Sequence, residues 1–226
     1  MIGIFDPRFW MLVGPFFLLG IAAQIWVKSA YASAQRQAAP LSGAAAARHI
    51  LDSAGLQSVG IEVIPGRLSD HYDPRQKVLR LSQQVYQSRS LAAVGIAAHE
   101  AGHAIQDARG YVPLVIRNAA VPAAGFGSNS ALLLIILGII FTWPPMLWLG
   151  IGLFGCVVFF QLVNLPVEFN ASSRAKAQLA QLGIVDSQGM VYVNRVLGAA
   201  AMTYVAATLQ AVMTLVYYVL IARGRR

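Results

Sequence analysis

Charge is scarce in this chain. Asp and Glu number nine among 226 residues, and charged residues of both signs make up only 12%. Soluble domains carry roughly a quarter charged residues, so an ordinary water-soluble fold is excluded. Cysteine is nearly absent too. Cys156 is the single one, lies inside an apolar run and excludes an intramolecular disulfide framework. Lys and Arg number 17 and set a net charge of +8. They are scattered and form no patch interleaved with aromatics, so no nucleic-acid partner is expected. Basic flanks around membrane spans account for the same charge. There is no internal repeat and no low-complexity tract.

What is abundant is apolar sequence, 57% of the chain. Crossing a bilayer core takes about 20 mostly apolar residues in a helix. Four segments qualify, at about Phe9–Val27, Ala119–Phe141, Met146–Leu165 and Leu197–Ala222. Trp10, Trp26, Trp143 and Trp148 fall near their ends, where indole favours the interface. The short uncharged link Thr142-Trp143-Pro144-Pro145 predicts a tight hairpin between the second and third. The first segment is longer than a secretory core of about 7–15 residues, and Asp6 dilutes its positive flank. It reads as an uncleaved anchor, although Ala30-Tyr31-Ala32 and Ala32-Ser33-Ala34 resemble cleavage sites.

Between the first two spans Ser42 can cap a helix over Ala44–Ala54, ended by Gly55. Ile61–Ile64 and Lys77–Leu81 read as short strands around a polar connector, Ser69 to Pro74. Ser90 can cap a helix from Leu91 to about Ala108, stopped by Gly110. A further helix is expected to start with Pro166 in its first turn and to end at Gly183. The expected class is a mainly α integral membrane protein with about four transmembrane helices and a small α+β, zincin-like catalytic region. Its parts are an anchor (1–27), a catalytic region (28–117), a transmembrane hairpin (118–165), a helical region (166–196) and a C-terminal span (197–226).

The helix from Leu91 carries His99-Glu100-Ala101-Gly102-His103, an H-E-x-x-H pattern. Residues four apart share a helical face, so both imidazoles can reach one metal ion. Glu100 is offset and can act on a water without occupying a coordination site. Zinc lowers the pKa of such a water to about 7, and a carboxylate can then take its proton. Gly102 costs helix stability, which points to a close approach there. The bland alternative, a polar helical face, is hard to place beside Ala97 and Ala98, where unpartnered ionisable groups are costly.

A catalytic zinc site takes three protein ligands. With four spans, both polar regions face the same side, and the second offers only Glu168 and Asp186 as carboxylates. Glu168 is the expected third ligand; its alternative is a first-turn Glu favoured by the helix dipole. One zinc per chain follows. Asp70, His71 and Tyr72 sit in the other polar cluster and suit orienting a ligand or stabilising an oxyanion, or equally ordinary turn chemistry. His49 reads as a surface residue. Strand Lys77–Leu81 could take an extended peptide along its edge.

Four stretches resemble the YugP-like family of membrane neutral zinc metallopeptidases. They are Leu68–Pro74 with Leu79–Ser82, Ala97–Gln106, Leu165–Ser172 and Met202–Ala207. The resemblance implies metallopeptidase chemistry and a distant likeness to HtpX-type membrane proteases, whose Glu ligand in a comparable context supports Glu168. Similar proteins usually carry Asp where this chain has Asn170, a residue the likeness places around the ligands. HtpX-type enzymes carry Asp at the position of Ser172. The reaction expected is zinc-dependent hydrolysis of peptide or membrane-protein substrates, with the bilayer and a further copy or membrane protein as partners. An intramembrane-cleaving metalloprotease and a silent scaffold with structural zinc are the alternatives. Basic flanks place the catalytic side in the cytoplasm of a bacterial plasma membrane, although Arg223, Arg225 and Arg226 pull the other way.

Overall fold

The computed structural model describes residues 6–224. Arg225 and Arg226, which enter the charge balance of the spans, lie outside the described residues. The elements run α1 (Pro7–Gln35), α2 (Gly43–Ser53), β1 (Gly60–Ile64), β2 (His71–Asp73), β3 (Val78–Ser82), α3 (Gln83–Gln87), α4 (Leu91–Ala108), α5 (Val112–Ile140), α6 (Pro144–Gln181) and α7 (Ser187–Arg223). Helices α1, α5, α6 and α7 are long and apolar enough to cross a membrane. Helices α1, α6 and α7 extend beyond the corresponding apolar segments at both ends, while α5 starts seven residues earlier than expected and ends one residue sooner. The protein is a mainly α integral membrane protein with a small α+β region.

Two compact units share the chain. Of the described residues, the first comprises 6–23, 115–166 and 202–224; the second comprises 24–114 and 167–201. In the first, Ile135, Ile139, Leu147, Ile151 and Tyr217 are buried together. Met11, Leu18, Phe126, Leu133 and Leu220 of the same unit are well exposed. Bare apolar side chains on helices of this length are suited to lipid, which needs no polar face from the protein. A three-residue link joins α5 to α6, as the short hairpin requires. Their backbones meet closely. A Cβ added at Gly138 would lie 2.5 Å from Leu147 N, and one at Gly150 would lie 2.8 Å from Ile135 N. Small residues at such crossings are the usual route to tight helix packing in membranes.

The second unit is built on α2 and α4, whose Ile50, Leu51, Ala97 and Ala98 are fully buried in one core with Leu79 and Leu81 of β3. Both helices begin at the expected serines. Ser42 Oγ accepts from Ala45 N, and Ser90 Oγ from Ala93 N. Left-handed glycines end them where stop signals stand: Gly55 follows α2 and Gly110 follows α4, as Gly183 follows α6.

Two expectations change. The connector contains a strand, β2, which pairs antiparallel with β3, while β1 pairs parallel with β3 on its other side. β3 is therefore the central strand of the order β1-β3-β2. Its edges are occupied, and an extended peptide cannot add to it. Second, α6 does not restart at Pro166 but runs through it. The missing N–H forfeits one helical hydrogen bond, a loss that a long helix with many others absorbs.

Replacing Gly150 by Val should destabilise the α5–α6 hairpin by roughly 1–3 kcal/mol through overpacking. Gly152→Val is the control, because a Cβ there meets nothing within 4 Å. Thermal unfolding in detergent should show a lowered midpoint for the first and little change for the second. Equal midpoints would sink the close-packing argument.

Candidate metal centre

A spacing of four residues, close to the 3.6 of one helical turn, brings His99 and His103 one above the other on α4. Their rings lie edge to face with centroids 4.7 Å apart. Glu168, on α6, enters between them. Its Oε2 is 3.2 Å from His99 Nε2 and 3.7 Å from His103 Nε2. One ligand atom from each residue lies within 4.8 Å of the other two. Zinc–ligand bonds of about 2.0–2.2 Å in tetrahedral array put neighbouring ligand atoms roughly 3.4 Å apart. The two separations from Glu168 bracket that figure, and the donor set of two imidazoles and one carboxylate suits zinc.

What holds the ligands is an amide network that charge patterns in the sequence do not reveal. Gln106 is fully buried and sits three residues past His103 on the same face. Its Nε2 donates to Val167 O at 2.8 Å and to Asn170 Oδ1 at 3.0 Å. Those acceptors fix the amide so that its Oε1 faces His103 Nδ1 at 3.0 Å. An amide oxygen only accepts, so His103 carries a proton on Nδ1 and presents Nε2 to Glu168. Asn170 Oδ1 also accepts from Arg174 Nε at 2.7 Å. Asn170 therefore lies around the site, at one remove from His103 through Gln106.

His99 Nδ1 lies 3.1 Å from Ser172 Oγ. The hydroxyl thus stands against the ring and makes the contact without a charge. Gly102 explains itself. A Cβ there would be 2.6 Å from Ala171 O, so any side chain would push the Glu168-bearing segment away from α4.

Glu100 is offset around α4, as its position requires, and is buried. Its Oε2 accepts a hydrogen bond from Tyr72 N at 3.0 Å. Burial pushes the Glu100 carboxyl upward; the two histidines pull it down, and the charges of Glu168 and Asp70 push it up again. The net direction is up. For His103, burial opposes the charged form, but the bond to Glu168 and the charge of Glu100 outweigh it and raise the pKa.

The remaining expected residues divide. Tyr72 touches Glu100 through its main chain, while its hydroxyl donates to Asp107 Oδ2 at 2.6 Å. Asp70 accepts from Ser82 N at 2.7 Å and from Ser82 Oγ, and so braces β3. His71 is exposed, with Nδ1 2.8 Å from Ser69 O. Neither Asp70 nor His71 has a hydrogen bond to the two histidines, Glu100 or Glu168 among the described residues. His49 is exposed on α2, the surface residue expected. Gln106 is the residue that sequence reasoning passed over. The available signal was its spacing, seven residues past His99 and three past His103.

Comparison with known proteins follows the same lines. A curated relative, "Putative membrane protease YugP" of Bacillus subtilis (strain 168), is 47% identical over 179 residues, covering 79% of this chain and 80% of the relative. No solved structure matches the chain significantly. A model of the family described as "Putative neutral zinc metallopeptidase" matches residues 9–223. With nearly its whole length matched, the chain belongs to that family.

Proposed function

We propose that the protein is a membrane-embedded zinc-dependent endopeptidase, one zinc per chain, in which His99, His103 and Glu168 hold the metal and Glu100 is the general base. The observation that carries this reading is the convergence of two imidazoles and a carboxylate beside a second, buried carboxyl that is not aimed between them. When bound, the zinc would polarise a water and a peptide carbonyl and lower the barrier to attack. Everything else falls to the chain. His103 presents its Nε2 lone pair because Gln106 takes the Nδ1 proton in a hydrogen bond. Glu100, with its pKa raised by burial, is suited to accept the proton of the attacking water and return it to the leaving amine. Tyr72 N–H holds one of its oxygens in place and leaves the other to face the water.

The reading places the active site in the unit made of α2, α4 and the sheet. Helix α4 is absent from the four helices that could span a membrane, which favours hydrolysis of exposed peptide segments over cleavage within the bilayer. Substrates are peptides or segments of membrane proteins, and a further copy or a membrane partner completes the groove. Basic residues flanking the spans put this unit on the cytoplasmic face of a bacterial plasma membrane. Ser33→Cys, at an exposed position on α1, should resist impermeant thiol reagents applied to intact cells; labelling from outside would invert the orientation.

Zinc content and peptide hydrolysis on purified protein test the chemistry. Glu100→Gln should keep about one zinc, as one ligand set allows, and lose about 10²–10⁴-fold in kcat, the range of a general base. Glu168→Ala should lose the metal. If the wild type binds zinc but Glu100→Gln leaves hydrolysis unchanged, the base assignment is wrong, and a structural zinc in a silent scaffold takes its place.

The ligand-orienting network has its own signature. Gln106→Leu should weaken zinc binding by about 10–100-fold, as loss of a group orienting a metal-bound histidine does. Competition with a chelator gives the ratio directly, and equal affinities would show that Gln106 serves only packing.

A further inference from the structure

Glu100 and Asp107 stand seven residues apart on α4, which puts them on one face about 10 Å apart along the axis. Tyr72 spans the gap. Its main-chain N donates to Glu100 Oε2 at 3.0 Å, and its phenol donates to Asp107 Oδ2 at 2.6 Å. Lys77 Nζ pairs with the same Asp107 oxygen. Burial and the bond to Asp107 raise the Tyr72 pKa, so the phenol stays protonated and keeps its role as donor.

The β2–β3 hairpin does not need Asp107 to form. Asp73 Oδ1 accepts from Arg75 N and Gln76 N across the turn. Asp73 Oδ2 pairs with Arg80 at 2.8 Å, and Asp70 ties the far end to Ser82. These contacts lie within the hairpin and its approach. Among the described residues, the hydrogen bonds that join β2 to α4 are the two made by Tyr72, one at Glu100 and one at Asp107.

We propose that Asp107 is a positioning residue for Glu100: by clamping the phenol of Tyr72, with Lys77 as its second partner, it fixes where the Tyr72 N–H meets the Glu100 carboxylate. The proposal rests on the reading of Glu100 as general base and deepens it. Without the clamp, β2 is still paired to β3 but is free to shift along α4. Displacements of about 1 Å in a catalytic array can cost 10²-fold in rate. The metal ligands are held separately, by Gln106 and Ser172, so the metal site does not depend on Asp107.

The test uses the full-length protein in detergent with zinc loaded. Tyr72→Phe and Asp107→Ala should each lower kcat by about 10–100-fold, with KM and zinc content close to wild type. The double variant should be no slower than the slower single one, because both break one link. Asp107→Asn keeps an acceptor for the phenol and should recover most of the rate. A second readout needs no activity. The Tyr72 amide should exchange slowly with solvent in the wild type and about tenfold or more faster in Asp107→Ala and Glu100→Ala, while the Leu79 and Leu81 amides are unchanged. A wild-type kcat in Asp107→Ala together with an unchanged Tyr72 amide would overturn the proposal. Should Asp107→Ala fail to fold, Tyr72→Phe and Asp107→Asn carry the same comparison. If the wild type hydrolyses no peptide, the base reading falls, and exchange at Tyr72 still decides whether the clamp exists.

Discussion

A single carboxylate oxygen lies between two imidazole nitrogens, and the rest of the second unit is arranged to keep it there. Glu168 is buried, and a buried carboxylate without partners is costly. His99 and His103 supply partners only if α6 approaches α4 closely. That approach needs Gly102, since any Cβ would strike the Ala171 carbonyl. Helix α6 then presents Glu168 and Ser172, four residues apart on one face, to the two histidines of α4. The alanine-rich surface of α4 and the buried amide of Gln106 follow from the same demand: small side chains let the helices meet, and a neutral hydrogen-bonding group ties them without adding charge.

The parts of this arrangement legible in the sequence are those whose signals are local or scarce. His99, Glu100 and His103 are spaced by helical periodicity, which one helix fixes without help from the fold. Glu168 stood out because so few acidic residues exist. The four apolar helices follow from hydropathy alone. What escaped depends on distant pairing. β2 is three residues long, ends on Asp73 and is followed by Pro74, so it reads as a turn; it becomes a strand only because β3 lies alongside. Gln106 carries no charge and no motif, and its importance appears only when Val167 and Asn170 come across from α6. Pro166 misled for a related reason, since a local helix-start signal was overridden by a long helix already under way.

Asp70 and Tyr72 illustrate how one polar cluster divides once folded. Asp70 turns into the hairpin and serves its stability through Ser82. Tyr72 works through its main chain, a role that side-chain identity could not announce. A backbone N–H is the same at every residue, and only the placement of β2 over α4 singles this one out.

The neutral character of the groups around the ligands has a consequence for Glu100. Its carboxyl is already raised by burial, and the charges of Glu168 and Asp70 push in the same direction. An Asp in place of Ser172 would set another negative charge against His99, next to Glu100, and would push that carboxyl higher still. Ser172 and Gln106 orient the two rings through hydrogen bonds while leaving the charge balance to the ligands themselves. In a region this poor in charge, the carboxylates near the site divide the work between them. Glu168 lies between the histidines, Asp70 braces the sheet, and Glu100 is held at a main-chain N–H with a raised affinity for a proton.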